Sequence, residues 1–458
     1  MTPAPSPDVA PPPPRFDVSC ETLIVGAGAC GMVAALAAKA AGQDVLVIEA
    51  DPAPGGSTAL SAGLIPAAGT ALQRAAGIAD SPATFAADIQ HKAKGENDPR
   101  LVDTLTRHAA TVIDWLAETH GLPFSLVTDF DYPGHSHRRM HGLPSRSGAA
   151  LIDALRQACE AAGIDIACNR RAHRLFHDTR LRGLALATPD GSTETIGCEK
   201  LVLACNGFGG NRTLVAELTP DIRDALWFGH DGNKGEAILW GRALGAGLHH
   251  LGAYQGHGNV AQPHGILITW ATITEGGFQV NRDGQRFWNE AQGYSEAARA
   301  VLAQPGGTAW AIFDSRIAAI ARQFEDFKTA ERTGAIVSAD SIEDLATRLG
   351  LPPGTLAETL DGITPGQPDR FGRRFTQTLT PPYCGTRVTG ALFHTQGGLV
   401  TDPDARVLDT SGTPIPGLFA GGGAACGVSG SGDAGYLSGN GLLSATVMGW
   451  LAGRADPS

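Results

Sequence analysis

The chain has 458 residues, 43% of them hydrophobic, and a formal net charge of 35 − 46 = −11. This much apolar material can build a core and excludes a wholly disordered chain. The acidic balance argues against a nucleic acid partner, and no apolar run is long enough for a spanning helix.

Residues 1–18 include Pro11, Pro12, Pro13 and Pro14 but no basic head or apolar stretch of a secretory signal. They read as a disordered, proline-rich tail. Residues 21–25 read as a buried strand, and Gly26-Ala27-Gly28-Ala29-Cys30-Gly31 follows at once. An alanine-rich helix over 32–41 ends at Gly42, and a second strand over 44–48 ends at Glu49, 49 − 26 = 23 residues after the first glycine. G-x-G-x-x-G between a strand and a helix, with an acidic residue closing the next strand, predicts a dinucleotide site. Gly26, Gly28 and Gly31 allow a tight turn and a close approach to pyrophosphate. The helix N-terminus offers N–H donors to the anion, and Glu49 is placed to accept from a ribose diol.

Further on, 81–116 reads as mostly helical and 148–162 as an amphipathic helix. Between them His135, His137 and His141 surround Arg138 and Arg139, without supporting carboxylates, so no metal site is expected. Arg138, Arg139 and Arg146 read as a solvated basic loop, with contact to a phosphate or carboxylate as the alternative. A short apolar strand over 200–204 leads into Cys205-Asn206-Gly207. Strands start near 266 and include 277–281, and helical patterns cover 295–302 and 341–349. Glycine-rich segments resume at Gly397, and a last helix spans 442–452. The glycine-rich parts, 19–252 and 373–458, predict one nucleotide-binding domain interrupted by a cap domain over 253–372. The eight cysteines form no C-x-x-C pair, which points to reduced thiols, no zinc, and a cytoplasmic protein.

After Glu49 the chain continues with Gly55-Gly56-Ser57-Thr58 and then Gly63. An acidic strand end followed by a short loop and this segment resembles FAD enzymes of the glutathione reductase type. A second G-x-G-x-x-G between a strand and a helix is absent, so electrons are expected to pass to or from an external acceptor or donor. Four later segments extend the resemblance: Asn206-Gly207-Phe208, Val280 to Glu290, Phe393-His394-Thr395-Gln396-Gly397-Gly398, and Ile415 to Gly423. In this order they resemble the motifs of the fumarate reductase/3-ketosteroid dehydrogenase family of FAD enzymes, over nearly the whole chain after residue 20. The resemblance implies an α/β fold: a Rossmann-like FAD-binding domain with an inserted α+β cap that closes over the flavin. It implies non-covalent FAD, because the loop over 57–63 has no histidine to form the family's covalent link. Gly422 and Gly423 fall in the cofactor motif, with Gly423 where fumarate reductases often carry an acidic residue. Asn440, Gly441 and Leu442 start the last helix, whose N–H groups would face the flavin pyrimidine, where reduction accumulates negative charge.

The substrate positions depart from fumarate reductases. Where those enzymes carry arginines and an Arg-Glu-Arg proton path, this chain has Trp270, Ile273, Tyr294 and Tyr436, and no arginine lies in 267–280 or 291–298. Gly435-Tyr436-Leu437-Ser438-Gly439 instead resembles the G-Y-x-S-G segment of 3-ketosteroid Δ4-dehydrogenases. The resemblance makes Tyr294 the expected proton-transfer residue and Tyr436 the carbonyl donor, with Ser438 relaying protons or orienting it. His394 matches the family's substrate-binding histidine; His257 and Trp270 are expected to line the pocket. Removing hydrogens α,β to a carbonyl needs a base, a hydride acceptor and a donor to the enolate oxygen. The expected activity is therefore dehydrogenation of a small-molecule cyclic ketone, a 3-ketosteroid or a cyclohexanone-like acid. The alternatives are an enoate reductase taking an unusual carboxylate, and a flavin electron-transfer or sensor protein without substrate chemistry.

Overall fold

A computed structural model describes residues 8–128 and 132–456. They form two compact units. The first takes the chain up to Thr219, Gly229–Tyr254, and everything from His394 on; the second takes Pro220–Phe228 and Gln255–Phe393.

The first unit is built on a nine-stranded sheet. Its centre is parallel: Asp165–Ala167, Val45–Ile48, Val18–Val25, Thr193–Leu203 and Pro414–Ala420 lie side by side in that order. Leu23, Ile24, Val47, Leu201, Val202 and Leu203 have no exposed surface, because helices cover both faces of such a sheet. The helix Ala29–Ala40 packs against the last helix, Asn440–Arg454. A Cβ on Gly449 would lie 2.4 Å from the Cys30 carbonyl oxygen, and one on Gly453 would lie 2.3 Å from that of Ala34. Small residues on both helices therefore let the backbones approach, which is one use of the glycine excess.

Most predicted elements appear with shifted ends. The helical stretch predicted over 81–116 is two helices, Pro82–Lys92 and Pro99–His120. The break falls where Gly95 takes a positive φ and Asp98 caps the Arg100 N–H ahead of the second helix. The tail prediction needs correction. Residues 1–7 lie outside the described residues, but Asp8–Ala10 forms a strand parallel to Arg171–His177. The Asp8 carboxylate takes two hydrogen bonds from Arg174, at 2.8 and 2.6 Å, which ties this segment to the sheet.

In the second unit a mixed sheet runs in the order Ile266–Leu267, Tyr254–Ala261, Tyr383–Thr395, Thr308–Asp314, Phe278–Val280. Helices Ser315–Ala321, Glu325–Arg332, Ile342–Leu349 and Pro353–Asp361 accompany it, with Phe278, Phe313, Ile317, Phe327, Leu345 and Leu356 in the core. Tyr383–Thr389, the first part of its strand, pairs antiparallel with the whole of Thr308–Asp314. This keeps 373–393 with the second unit, whereas the sequence reading gave that stretch to the nucleotide-binding domain.

Candidate active site

Four motifs that are far apart in sequence come together at the carboxyl ends of neighbouring parallel strands, where open α/β sheets bind ligands. Gly26 follows Val25, Glu49 follows Ile48, Asn206 follows Leu203 by three residues, and Gly421 follows Ala420. Backbone bonds continue across these ends: Gly26 N–H to the Ile48 carbonyl (2.8 Å), Ala204 N–H to Val25 (2.9 Å) and Gly421 N–H to Leu203 (3.1 Å). Gly26 has φ +106°, and a Cβ there would lie 2.6 Å from the Ala204 carbonyl oxygen, so this turn requires glycine. The Glu49 carboxylate accepts from Ala27 N–H at 2.7 Å and from Asp51 N–H at 3.0 Å, which leaves further lone pairs for a ribose. Thr58 Oγ1 accepts from Ala29 N–H at 3.2 Å and so braces the helix start.

The remaining predicted cofactor residues extend this cradle. Ser57 Oγ accepts from Asn206 Nδ2 (2.8 Å) and from Asn233 Nδ2 (3.0 Å). The sequence reading did not single out Asn233. Gly55 and Gly56 lead into the turn that holds Ser57, and Gly63 packs against Ser147, where a Cβ would lie 2.8 Å from the carbonyl oxygen. A Cβ on Gly207 would lie 2.0 Å from Thr395 Oγ1, and one on Gly423 would lie 2.1 Å from Asn206 Oδ1. The Asn206 side chain thus occupies the space that the family's acidic residue would need, which is a steric reason for Gly423. Gly422 opens the short turn Gly422–Ala424 beside it. FAD fits these residues. At Gly28 a Cβ would meet only Thr58 Oγ1, at 3.6 Å, so space stands open over the helix start. At the other helix start the buried Asn440 Oδ1 has no hydrogen-bond partner among the described residues.

His394 and Tyr436 meet at that second helix start. Their rings pack edge to face with centroids 5.3 Å apart. A Cβ on Gly441 would lie 3.5 Å from His394 Nε2 and 3.9 Å from the Tyr436 hydroxyl oxygen, so both polar atoms converge on one point next to Leu442. Burial pushes the Tyr436 phenol up to about 12, although backbone hydrogen bonding at Gly441 and Gly439 acts the other way. Burial also lowers His394 to about 4. Both groups are therefore neutral near pH 7 and able to donate a hydrogen bond. The Ser438 carbonyl oxygen bonds His135 Nε2 at 2.9 Å.

The second unit gathers His257, Trp270 and Tyr294 into an aromatic cluster. His257 stacks on Tyr294 (centroids 5.1 Å, 20° between planes) and on Phe393 (5.5 Å, 23°), with its edge toward Trp270 (5.7 Å, 88°). Its Nδ1 accepts the Asn259 N–H at 3.2 Å, which leaves the proton on Nε2. Burial lowers it to about 3. Tyr294 is the first residue of the helix Tyr294–Leu302, after Gly293 at φ +138° and ψ 170°, a conformation reserved for glycine. The sequence reading missed a buried ionic cluster in this unit. Glu290 pairs with Arg286 (2.5 Å) and Arg373 (3.0 Å), and Arg373 Nη2 donates to the Ile273 carbonyl at 2.7 Å. Arg373 lies 100 residues from Ile273 in sequence, so local spacing could not show that contact.

Of the basic loop Arg138 and Arg146 are exposed, as expected, and only Arg139 needs correction. Arg139 is buried and pairs with Asp80 (2.9 Å) and Asp88 (2.5 Å). His141 is buried as well and bonds Thr70 Oγ1 (2.8 Å) and the Arg139 carbonyl (2.9 Å). Among the described residues no His, Cys, Asp and Glu cluster could hold a metal, and all eight cysteines are free thiols. No described helix is long and apolar enough to cross a membrane.

Burial lowers His141 to about 4 and His257 to about 3, against 6.5 when exposed. Unfolding lets each bind a proton below pH 6.5, so their stabilisation is complete above 6.5 and is lost as pH falls toward 4 for His141 and toward 3 for His257. The loss should be about 2 kcal/mol per histidine at pH 5. The urea midpoint should drop between pH 6.5 and 5, and less steeply in His257→Phe. Equal slopes in the two proteins would contradict the assignment to His257.

The profile of the FAD binding domain family matches residues 21–442. The probable fumarate reductase Ifc3 of Shewanella frigidimarina is 32% identical over 448 residues, which cover 94% of this chain and 74% of that protein. A solved flavocytochrome c3 fumarate reductase in its open conformation has a TM-score of 0.82 at 30% identity, covering 96% of this chain and 78% of its own. The 3-ketosteroid-delta4-(5alpha)-dehydrogenase of Rhodococcus jostii, solved with 4-androstene-3,17-dione, has a TM-score of 0.77 at 25% identity, covering 98% and 99%. The fold and its cradle are those of an FAD-dependent oxidoreductase acting on CH–CH or C=C bonds. The chain belongs to the FAD binding domain family, among the fumarate reductase flavoproteins.

Proposed function

We propose that the protein dehydrogenates a cyclic ketone α,β to its carbonyl, a 3-ketosteroid or a smaller cyclohexanone-like compound. One observation carries the reading: at the start of the last helix, where fumarate reductases place an arginine, Tyr436 and His394 present two neutral donors. Neutral donors suit a ketone oxygen that gains charge only as the reaction proceeds, whereas a dicarboxylate calls for a permanent cation. Non-covalently bound FAD supplies the hydride acceptor when present. Tyr436 donates to the carbonyl oxygen, with Ser438 orienting it or relaying its proton, and His394 adds a second hydrogen bond. Tyr294, once its own phenol proton has passed to solvent, takes the proton from the α carbon as the tyrosinate, and His257 and Trp270 bind the apolar ring of the substrate. An external acceptor removes the electrons, since no second G-x-G-x-x-G joins a strand directly to a helix: the one from Gly430 to Gly435 lies in the loop between the turn Gly422–Ala424 and the last helix.

The second reading, reduction of an enoate, is favoured by the fumarate reductases among the similar proteins. Anaerobic titration separates the readings. Bleaching of the visible flavin absorbance by cyclic ketones supports the dehydrogenase. Reoxidation of dithionite-reduced protein by enoates, without ketone bleaching, supports the reductase. Silence toward both panels favours a flavin electron-transfer protein.

A further inference from the structure

Four side chains in the first unit form a directed hydrogen-bond chain that ends on His394. Asn440 Nδ2 donates to Ser429 Oγ at 3.4 Å. Ser429 Oγ donates to Gln396 Oε1 at 2.8 Å. Gln396 Nε2 lies 2.8 Å from His394 Nδ1. Gln396, Ser429 and Asn440 are all buried, so water does not compete freely for these groups. The backbone of Gln396 is fixed as well: its N–H donates to the Ala253 carbonyl (2.8 Å), and its carbonyl accepts from Gly427 N–H (2.9 Å).

The chain has a polarity. Ser429 has one proton to give. With Asn440 donating to its oxygen, that proton goes to the Gln396 carbonyl oxygen. The Gln396 amide nitrogen therefore faces His394, and an amide nitrogen only donates. Nδ1 must then offer its lone pair, and a neutral imidazole carries its single proton on the other nitrogen. We infer that Gln396 and Ser429 act as positioning residues that hold His394 as its Nε2–H tautomer, so that it serves as a hydrogen-bond donor and not as a base. The donor nitrogen is the one that approaches Gly441 beside the Tyr436 hydroxyl. The competing arrangement is also present: the Thr395 carbonyl oxygen lies 3.4 Å from Nδ1 and would accept a proton there. The shorter contact to Gln396 decides between the two. The substrate oxygen that receives the bond rests on the dehydrogenase reading above; the tautomer does not.

The test is 15N NMR of the FAD-loaded protein, selectively labelled on histidine, with His394 assigned by its loss in His394→Asn. In the wild type at pH 7, Nε2 should give a protonated, pyrrole-type signal and Nδ1 an unprotonated, pyridine-type signal. Gln396→Glu keeps the shape and puts an acceptor in place of the donor, so Nδ1 should become protonated. With the ketone that best bleaches the flavin, kcat/KM should fall roughly tenfold or more, the worth of one good hydrogen bond. The flavin spectrum of the variant should stay that of the wild type, which shows that it has folded around its cofactor. A proton on Nδ1 in the wild type, or unchanged His394 signals in Gln396→Glu, overturns the inference. The expected signals with unchanged turnover would sustain the tautomer and remove His394 from the proposed mechanism.

Discussion

Tyr294→Phe should bind FAD and lose turnover by about 10²–10⁴-fold, the range set by a positioned proton-transfer group. The substitution is sharp because the ring itself has structural work that phenylalanine can do. It stacks parallel to His257 and meets Trp270 edge to face, with centroids 6.5 Å apart. Those contacts depend on the ring and not on the hydroxyl. Stability should therefore move by less than about 1 kcal/mol, and the flavin absorbance should match the wild type. The measurement pairs anaerobic flavin reduction by a ketone with a thermal melt. Near-normal reduction would remove Tyr294 from the chemistry and leave it as packing in an aromatic cluster. Tyr436→Phe offers a comparison, since losing one donor to a developing oxyanion costs about 10²–10³-fold. A larger loss at 294 than at 436 would put proton abstraction, and not carbonyl polarisation, on Tyr294.

The cofactor half of this protein was legible in its sequence because its signals are local. A strand, a glycine turn, a helix and an acidic strand end occupy 29 consecutive residues, from Glu21 to Glu49, and each residue type has one physical use there. The later motifs were also readable one by one. That they meet was not, because the meeting depends on strand order: Thr193–Leu203 lies between Val18–Val25 and Pro414–Ala420. Only then does Asn206 come to lie over Gly423, and Thr395 over Gly207.

What escaped the sequence was nearly always a partner held at long range. Arg139 reads as solvated until Asp80 and Asp88 are found 59 and 51 residues before it. Asn233 joins Ser57 across 176 residues, and Ser429 joins Gln396 across 33. The strand Tyr254–Ala261 was missed for another reason. It contains two glycines and an asparagine, which disfavour strands. Its Gly258 is there for packing: a Cβ would lie 2.4 Å from the carbonyl carbon of Ala297, so glycine lets the helix Tyr294–Leu302 press onto the strand. Tyr294 and His257, on those two elements, owe their stacking to this close approach.

Two alanine substitutions within the same hexapeptide should fail in different ways. At Gly31 a Cβ would lie 1.8 Å from the Gly26 carbonyl oxygen and 3.3 Å from Ile24 Cγ2. The first contact is with backbone in the turn that follows the central strand, and neither the turn nor the buried helix start has room to retreat. Gly31→Ala should cost several kcal/mol, beyond the usual 1–3 kcal/mol for overpacking, and yield little folded protein. Gly28 is different. Its φ of −80° and ψ of −173° suit any residue, and its Cβ would make only an ordinary 3.6 Å contact with Thr58 Oγ1. The protein should tolerate this methyl group and FAD should not, because the methyl group fills the space through which pyrophosphate reaches the helix N–H groups. Gly28→Ala should therefore purify as a folded apoprotein with the secondary structure of the wild type, and titration with FAD should show affinity lowered at least tenfold. A Gly28→Ala protein that retains stoichiometric FAD would mean that the pyrophosphate does not approach this turn, and the cradle would have to be redrawn around Ser57, Asn206 and Asn440.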